Sequence, residues 1–209
     1  MTLYHYWRSS SSWRVRWALA LKGIAVDYVP IDLLSGANES STHTARHPMG
    51  YVPVLQINDK YLVQSVAILE WLEETYPNPK LFPGSAFDRA AIRALCETIN
   101  ADTQPIQNLS VVDQISTTDD KKRLAWMAHF TQRGLQAYEE LCKPCAGLFS
   151  YGDSLTAADL FLIPQCYNAL RQKVDLSLFP IIQRIYLRCL QEPSCQATAP
   201  DQFEPKATT

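Results

Sequence analysis

The sequence predicts an α+β fold in two parts, a small mixed domain followed by an all-helical one. Three observations carry this. The first 80 or so residues alternate between short apolar runs and helical patterns. A stretch containing Pro79, Pro83 and Gly84 then interrupts them. After about Phe87 the apolar residues recur with helical spacing. The expected domains are 1–82 and 87–209.

Each element has a local reason. Leu3–Tyr6 reads as a strand and Ser11–Lys22 as an amphipathic helix with Val15, Ala18 and Leu19 on one face. Gly23 follows as a C′ residue, with Lys22 favourable in the last turn. A second strand is expected over Asp27–Ile31, then a polar loop over Ser35–His47 holding at most a short helix. Val52–Ile57 and Tyr61–Val63 flank Asn58-Asp59, a hairpin signal. Ser65 is expected to cap a helix carrying Ile68, Leu69, Leu72 and Tyr76, stopped by Pro77-Asn78-Pro79. Long helices are expected over Ala90–Asn108, Lys121–Leu141, Ala157–Leu170 and Leu178–Leu190, with a frayed polar tail from Ser194.

Composition excludes several classes. The hydrophobic fraction of 47% suits a packed core, and a charged fraction of 19% argues against disorder. A net charge of −2 provides no field for nucleic acid. No apolar run approaches the roughly 20 residues of a membrane span, and Met1–Arg8 lack a signal peptide's apolar region. A cytoplasmic protein without a membrane or nucleic-acid partner is expected. Six cysteines are too sparse for a disulfide scaffold. Cys142-Lys-Pro-Cys145 follows a helical pattern instead of opening a helix, and it has no second pair. It is expected to be neither a redox nor a zinc motif. The four histidines show no metal-ligand spacing, and no metal is expected. Thr156 and Asp159 have capping-box spacing, so Asp159 is assigned to folding.

The segment richest in chemistry is Arg8-Ser9-Ser10-Ser11-Ser12-Trp13-Arg14. It puts four hydroxyls at the positively polarised start of a helix, where backbone N–H groups lack intrahelical partners. Such a place holds an anion. Arg14 and Arg16 are two apart and point to different sides. One is expected to line the site and the other to pair structurally.

RSSSSWRVRWAL resembles the zeta-class glutathione transferase signature RSSCSWRVRIAL, with Ser11 where the family usually has Cys. The stretches Pro48–Pro53, Gln64–Glu70, Gln104–Val111 and Val174-Asp175-Leu176 resemble family segments too, and His47 stands where the family usually has Asn. The similarity covers nearly the whole chain. It implies a thioredoxin-like domain followed by the all-α glutathione transferase C-terminal domain, a homodimer, and glutathione as cofactor. Ser9, Ser10 and Ser11 become the candidate catalytic residues, with Ser9 matching the family's catalytic serine. Ser9–Ser12, Trp13, Arg14, Val52, Gln64, Ser65, Gln104, Asn108, Leu109 and Ser110 match glutathione-site positions. The resemblance also implies a cis peptide before Pro53, which lets the Val52 backbone pair with the cysteinyl part of glutathione. Arg8 and Arg171 are candidates for the carboxylates of a small dicarboxylate substrate.

The implied reaction is cis–trans isomerisation of maleylacetoacetate, in tyrosine and phenylalanine breakdown, by reversible thiolate addition. A thiol of pKa about 8.5 must be lowered by about two units, which takes about 2.7 kcal/mol. A charge-assisted hydrogen bond of roughly 1.5–3 kcal/mol plus a helix terminus of roughly 0.3–1 kcal/mol supplies that. Alternatives are a transferase or dehalogenase of small electrophiles, a maleylpyruvate isomerase, or a non-catalytic binding protein of the same fold. The presence of Ser9, Pro53, Gln64 and Ser65 together argues against the last.

Overall fold

A computed structural model describes residues 1–205. The chain divides into two compact units. The first is Met1–Lys80 joined by the segment from Glu192 onward, and the second is Leu81–Gln191. The first unit therefore takes back a stretch that the sequence reading placed in 87–209.

In the first unit the order is β1 (Thr2–His5), α1 (Ser10–Leu21), β2 (Asp27–Pro30), α2 (Ser41–Thr44), β3 (Val54–Ile57), β4 (Lys60–Val63) and α3 (Ser65–Thr75). The sheet order is β2-β1-β3-β4, with β1 parallel to β2 and β3 antiparallel to both β1 and β4. The hairpin forms at Asn58-Asp59 as expected, Asn58 taking the left-handed conformation its tight turn needs. Leu3 and Leu55, paired across β1 and β3, are fully buried. The α1 helix ends as read: Gly23 has φ +67, and the Ile24 N–H reaches back to the Leu19 carbonyl. Lys22 does more than face a dipole. Its buried Nζ donates to Glu73 at 2.9 Å and to the carbonyls of Tyr76 and Pro79, tying the end of α1 to the end of α3. Asn78-Pro79 is a second cis peptide, one the sequence did not announce.

Two expectations are corrected here. Over its described residues the tail is not frayed, since α9 (Pro193–Thr198) packs on α1 with Cys195 fully buried; residues 206–209 of that tail lie outside the described residues. For the same reason α1 is not amphipathic. Ser12 through Leu19 are all buried, because α3 and α9 both pack against it.

The second unit holds α4 (Ala86–Asn100), α5 (Leu109–Ile115), α6 (Asp120–Cys142), α7 (Ala157–Arg171) and α8 (Pro180–Cys189). Its core gathers Ile92, Leu95 and Ile99 of α4, Leu135 and Tyr138 of α6, Leu160–Ile163 of α7, and Ile182 and Ile185 of α8. The helix expected over Ala90–Asn108 stops at Asn100, so the Gln- and Asn-bearing stretch is not on a long helix. A 3-10 turn at Pro105–Gln107 follows, and Asn108 begins α5 by accepting from the Leu109 N–H at 2.9 Å. Pro105 supplies no N–H, which suits the first position of a new turn and not a helix interior. Asp159 is fully buried and accepts from the Thr156 and Ser150 N–H groups at 2.9 and 2.8 Å, the folding role assigned to it. No helix among the described residues is long and apolar enough to cross a membrane.

Candidate active site

Strand register assembles the site. Tyr4 pairs with Val54, and Val54 with Val63. The segment after β1, the residues before β3 and those after β4 therefore leave the sheet at one end. They are the serine run, Val52-Pro53 and Gln64-Ser65.

Ser9 is the N-cap of α1. Its Oγ accepts from the Ser12 N–H at 3.2 Å, and it is half-buried. The cap uses one lone pair and leaves the hydroxyl proton for a donor bond, so capping and anion binding are compatible in one side chain. The serines then alternate. Ser11 is half-buried like Ser9, whereas Ser10 and Ser12 are buried. The Ser12 Oγ accepts from the Tyr6 N–H at 3.4 Å, which turns it inward to brace the β1–α1 connection. The Trp13 indole also points inward, donating to the Thr198 Oγ1 at 3.3 Å.

The two arginines make different contacts. Arg14 is fully buried and its Nη1 donates to the Ser65 Oγ at 3.2 Å, joining the starts of α1 and α3 through one guanidinium. Two helix N-termini and a cation favour negative charge at this end of the sheet. Arg16 is structural. It donates to the carbonyls of Trp7 at 2.9 Å, Tyr6 at 3.3 Å and Thr198 at 3.2 Å, contacts the His5 Nδ1, and lies 4.5 Å over the Phe203 ring. Burial lowers its pKa to about 9. His5 is pushed down to about 3 by burial and then by Arg16, which leaves it a neutral acceptor.

The Val52-Pro53 peptide is cis, as the resemblance implied. The helix cap is corrected: Ser65 is the first residue of α3, and Gln64 is the N-cap, without a capping bond from its side chain. Gln64 is exposed at φ +71, a left-handed backbone that is rare for a residue with a Cβ. Arg8 lies in this unit, half-buried, its guanidinium 5.2 Å from the Trp7 ring.

The remaining candidates belong to the second unit. Gln104 is half-buried, while Asn108, Leu109 and Ser110 are exposed around the α5 start. Arg171 is exposed at the end of α7. The sequence reading missed Gln107, whose buried amide ties this turn to Gln165, Thr131 and Gln172 at 2.8, 2.9 and 2.5 Å. Three glutamines and a threonine spread over 65 residues leave no local signal.

Cys142 is fully buried at the end of α6, and burial pushes its thiol up to about 12; Cys145 is raised too. Cys142→Ala and Cys145→Ser are expected to leave turnover within about twofold, because a thiol this basic holds almost no thiolate at neutral pH. A large loss in steady-state assays would overturn this. Among the described residues no three His, Cys, Asp or Glu come together to hold a metal.

Residues 1–74 match the family described as Glutathione S-transferase, N-terminal domain. The maleylacetoacetate isomerase of Rhizobium meliloti (strain 1021) is 43% identical over 207 residues, covering 97% of each chain. The chain belongs to the zeta-class glutathione transferase and maleylacetoacetate isomerase family. Solved structures of this family superpose closely. A maleyl pyruvate isomerase, a bacterial zeta-class protein solved in its holo form, has a TM-score of 0.94 at 36% identity, with 100% of each chain covered. The maleylacetoacetate isomerase of Anaeromyxobacter dehalogenans 2CP-1 was solved with glutathione in its active site. It has a TM-score of 0.89 at 44% identity, covering 99% of this chain and 97% of that one. A second structure of that protein holds dicarboxyethyl glutathione and citrate. The first unit is accordingly the thioredoxin-like half of a zeta-class protein, and the second is its helical half.

Proposed function

We propose that this zeta-class protein is a glutathione-dependent isomerase that converts maleylacetoacetate to fumarylacetoacetate. The observation that carries the reading is the half-buried Ser9 cap at the sheet end shared by cis Val52-Pro53 and the strained Gln64. The residues fit glutathione chemically. Ser9 has a donor proton for a thiolate, the Val52 main chain suits the cysteinyl part, and Gln64 with Ser65 suits the γ-glutamyl carboxylate at a helix start.

Held there by Ser9, Val52, Gln64 and Ser65, glutathione would supply a thiolate that adds to the alkene and is afterwards expelled, so that the carbon–carbon bond is single and free to rotate in between and glutathione is regenerated. The chain's own contribution is electrostatic. The Ser9 hydroxyl donates while accepting from Ser12, and the two bonds polarise each other. The starts of α1 and α3, joined by Arg14, stabilise the anionic form of the thiol at no cost in reorganisation. Ser10 and Ser11 complete the first turn of α1. No protein nucleophile is needed, so Ser11 in place of the family's cysteine leaves the route intact. Arg8 and Arg171 are assigned to the substrate carboxylates, and Gln104, Asn108, Leu109 and Ser110 to glutathione. The reading includes a homodimer, which the resemblance implies. It also includes a cytoplasmic setting, which suits six free thiols.

A glutathione-dependence assay with maleylacetone beside one neutral electrophile tests this reading. Isomerisation without glutathione, or none with it, would overturn it. Arg171→Ala is expected to lower isomerisation by about 10–100-fold, the worth of a hydrogen bond to a charged group, and to spare conjugation of the neutral electrophile. Equal losses in kcat/KM for both would remove Arg171 from substrate recognition.

A further inference from the structure

We propose that His43 and His47 are positioning residues of the glutathione site: their imidazoles fix the main chain of residues 49–51, which delivers Val52 to its ligand. This rests on the reading that the Val52 backbone holds the cysteinyl part of glutathione.

The two rings are nearly inaccessible, His43 at 1% exposure and His47 at 4%. The His43 Nε2 lies 3.0 Å from the Tyr51 carbonyl, which can only accept, so the ring proton sits on Nε2. The His47 Nδ1 lies 3.2 Å from the Met49 N–H, which can only donate, so that nitrogen carries no proton. The surrounding bonds complete the clamp. The Gly50 N–H donates to the His47 carbonyl at 2.7 Å, and the Asn38 Nδ2 donates to the Gly50 carbonyl at 3.1 Å. Gly50 has φ +65, and a Cβ there would meet the Asn38 carbonyl oxygen at 2.8 Å. Four of the six main-chain polar groups from the Met49 N–H to the Tyr51 carbonyl are thus fixed by residues 38–47 before the cis Val52-Pro53 peptide. The stretch over Ser35–His47 is therefore a brace for the approach to Val52.

The bond at His47 repeats a familiar turn. An Asn side chain accepts from the N–H two residues on, and the imidazole does the same to Met49. This chain thus makes the turn with a group that titrates. A proton on Nδ1 would set two donors against each other. Burial, and after it the proximity of His43, lowers the His47 pKa below 6.5. The acceptor form therefore prevails at neutral pH and is lost as pH falls through that lowered value. The groups facing His47 are His43 of α2 and Tyr51, whose ring centroid is 5.6 Å away; Arg46 adjoins it in the chain with its guanidinium over Tyr4. No carboxylate lies within ion-pair distance of His47 among the described residues.

S-methylglutathione, which has no thiol to titrate, is the probe. Its affinity for the full-length protein would be measured by titration calorimetry at about pH 8 and about pH 4.5, the lower value set well below the ordinary imidazole pKa of about 6.5 because that of His47 is lowered. Wild type is expected to bind about fivefold more weakly at the lower pH, the worth of one hydrogen bond, with His47→Asn equally tight at both. His47→Leu, which has no acceptor, is expected to be about fivefold weaker at both. A pH-independent wild-type affinity would overturn the inference, as would His47→Asn that keeps the wild-type pH dependence or binds as poorly as His47→Leu. Absence of binding by the wild type at both pH values would sink the glutathione site as well.

Discussion

Ser9→Ala is expected to lower isomerase turnover by about 10²-fold or more, because the hydrogen bond proposed for Ser9 is made to a charge and worth a few kcal/mol. The same change removes the α1 cap, which costs about 1 kcal/mol of stability. The two losses separate with Ser9→Asp. Aspartate is a good N-cap, so thermal stability should survive. Its carboxylate faces the thiolate, so activity should fall further than in Ser9→Ala. The pKa of bound glutathione, read from thiolate absorbance, should rise in both variants. Unchanged absorbance in Ser9→Ala would remove Ser9 from thiolate stabilisation and leave it a cap.

Arg16→Met should be the costliest single change to the first unit. It removes the donor to the buried carbonyls of Tyr6 and Thr198, to the part-buried carbonyl of Trp7 and to the ring nitrogen of His5. Each buried acceptor left unsatisfied costs roughly 1–3 kcal/mol; methionine fills the volume, and we expect about 3–5 kcal/mol in total. That is a large part of a usual 5–15 kcal/mol. Denaturant unfolding checks it, and a loss below about 1 kcal/mol would show that the carbonyls find other donors. Glutathione affinity should fall as well, since Tyr6 and Trp7 form the connection that leads into Ser9.

What the sequence made legible was local. The serine run at a helix start, the Asn58-Asp59 turn and the Gly23 terminus are each determined within a few residues. Val52-Pro53 was legible through resemblance, and Asn78-Pro79, which nothing local distinguishes, was not. The break after Asn100 was hidden because Ile99 and Ile106 keep helical spacing across it, so periodicity alone runs the helix on. The short, polar α9 gives no amphipathic signal. Its place is set by contacts such as Trp13 to Thr198, 185 residues apart in sequence. His43 and His47 escaped for a different reason. They act on main-chain groups, and the identity of a main-chain partner leaves no mark in a sequence.

The return of α9 bears on the order in which the protein is made. Trp13 and Trp17 donate to Thr198 and Ser194, and Arg16 to Thr198. During synthesis the β1–α1 region leaves the ribosome well before the groups that satisfy its indoles and its buried cation. The nascent first unit must wait with a polar, aromatic face uncovered while the whole of Leu81–Gln191 is translated. The unit that carries the serine run is thus begun before Leu81–Gln191 and completed after it, so a chain cut short before Glu192 is expected to lose the support of α1 along with α9.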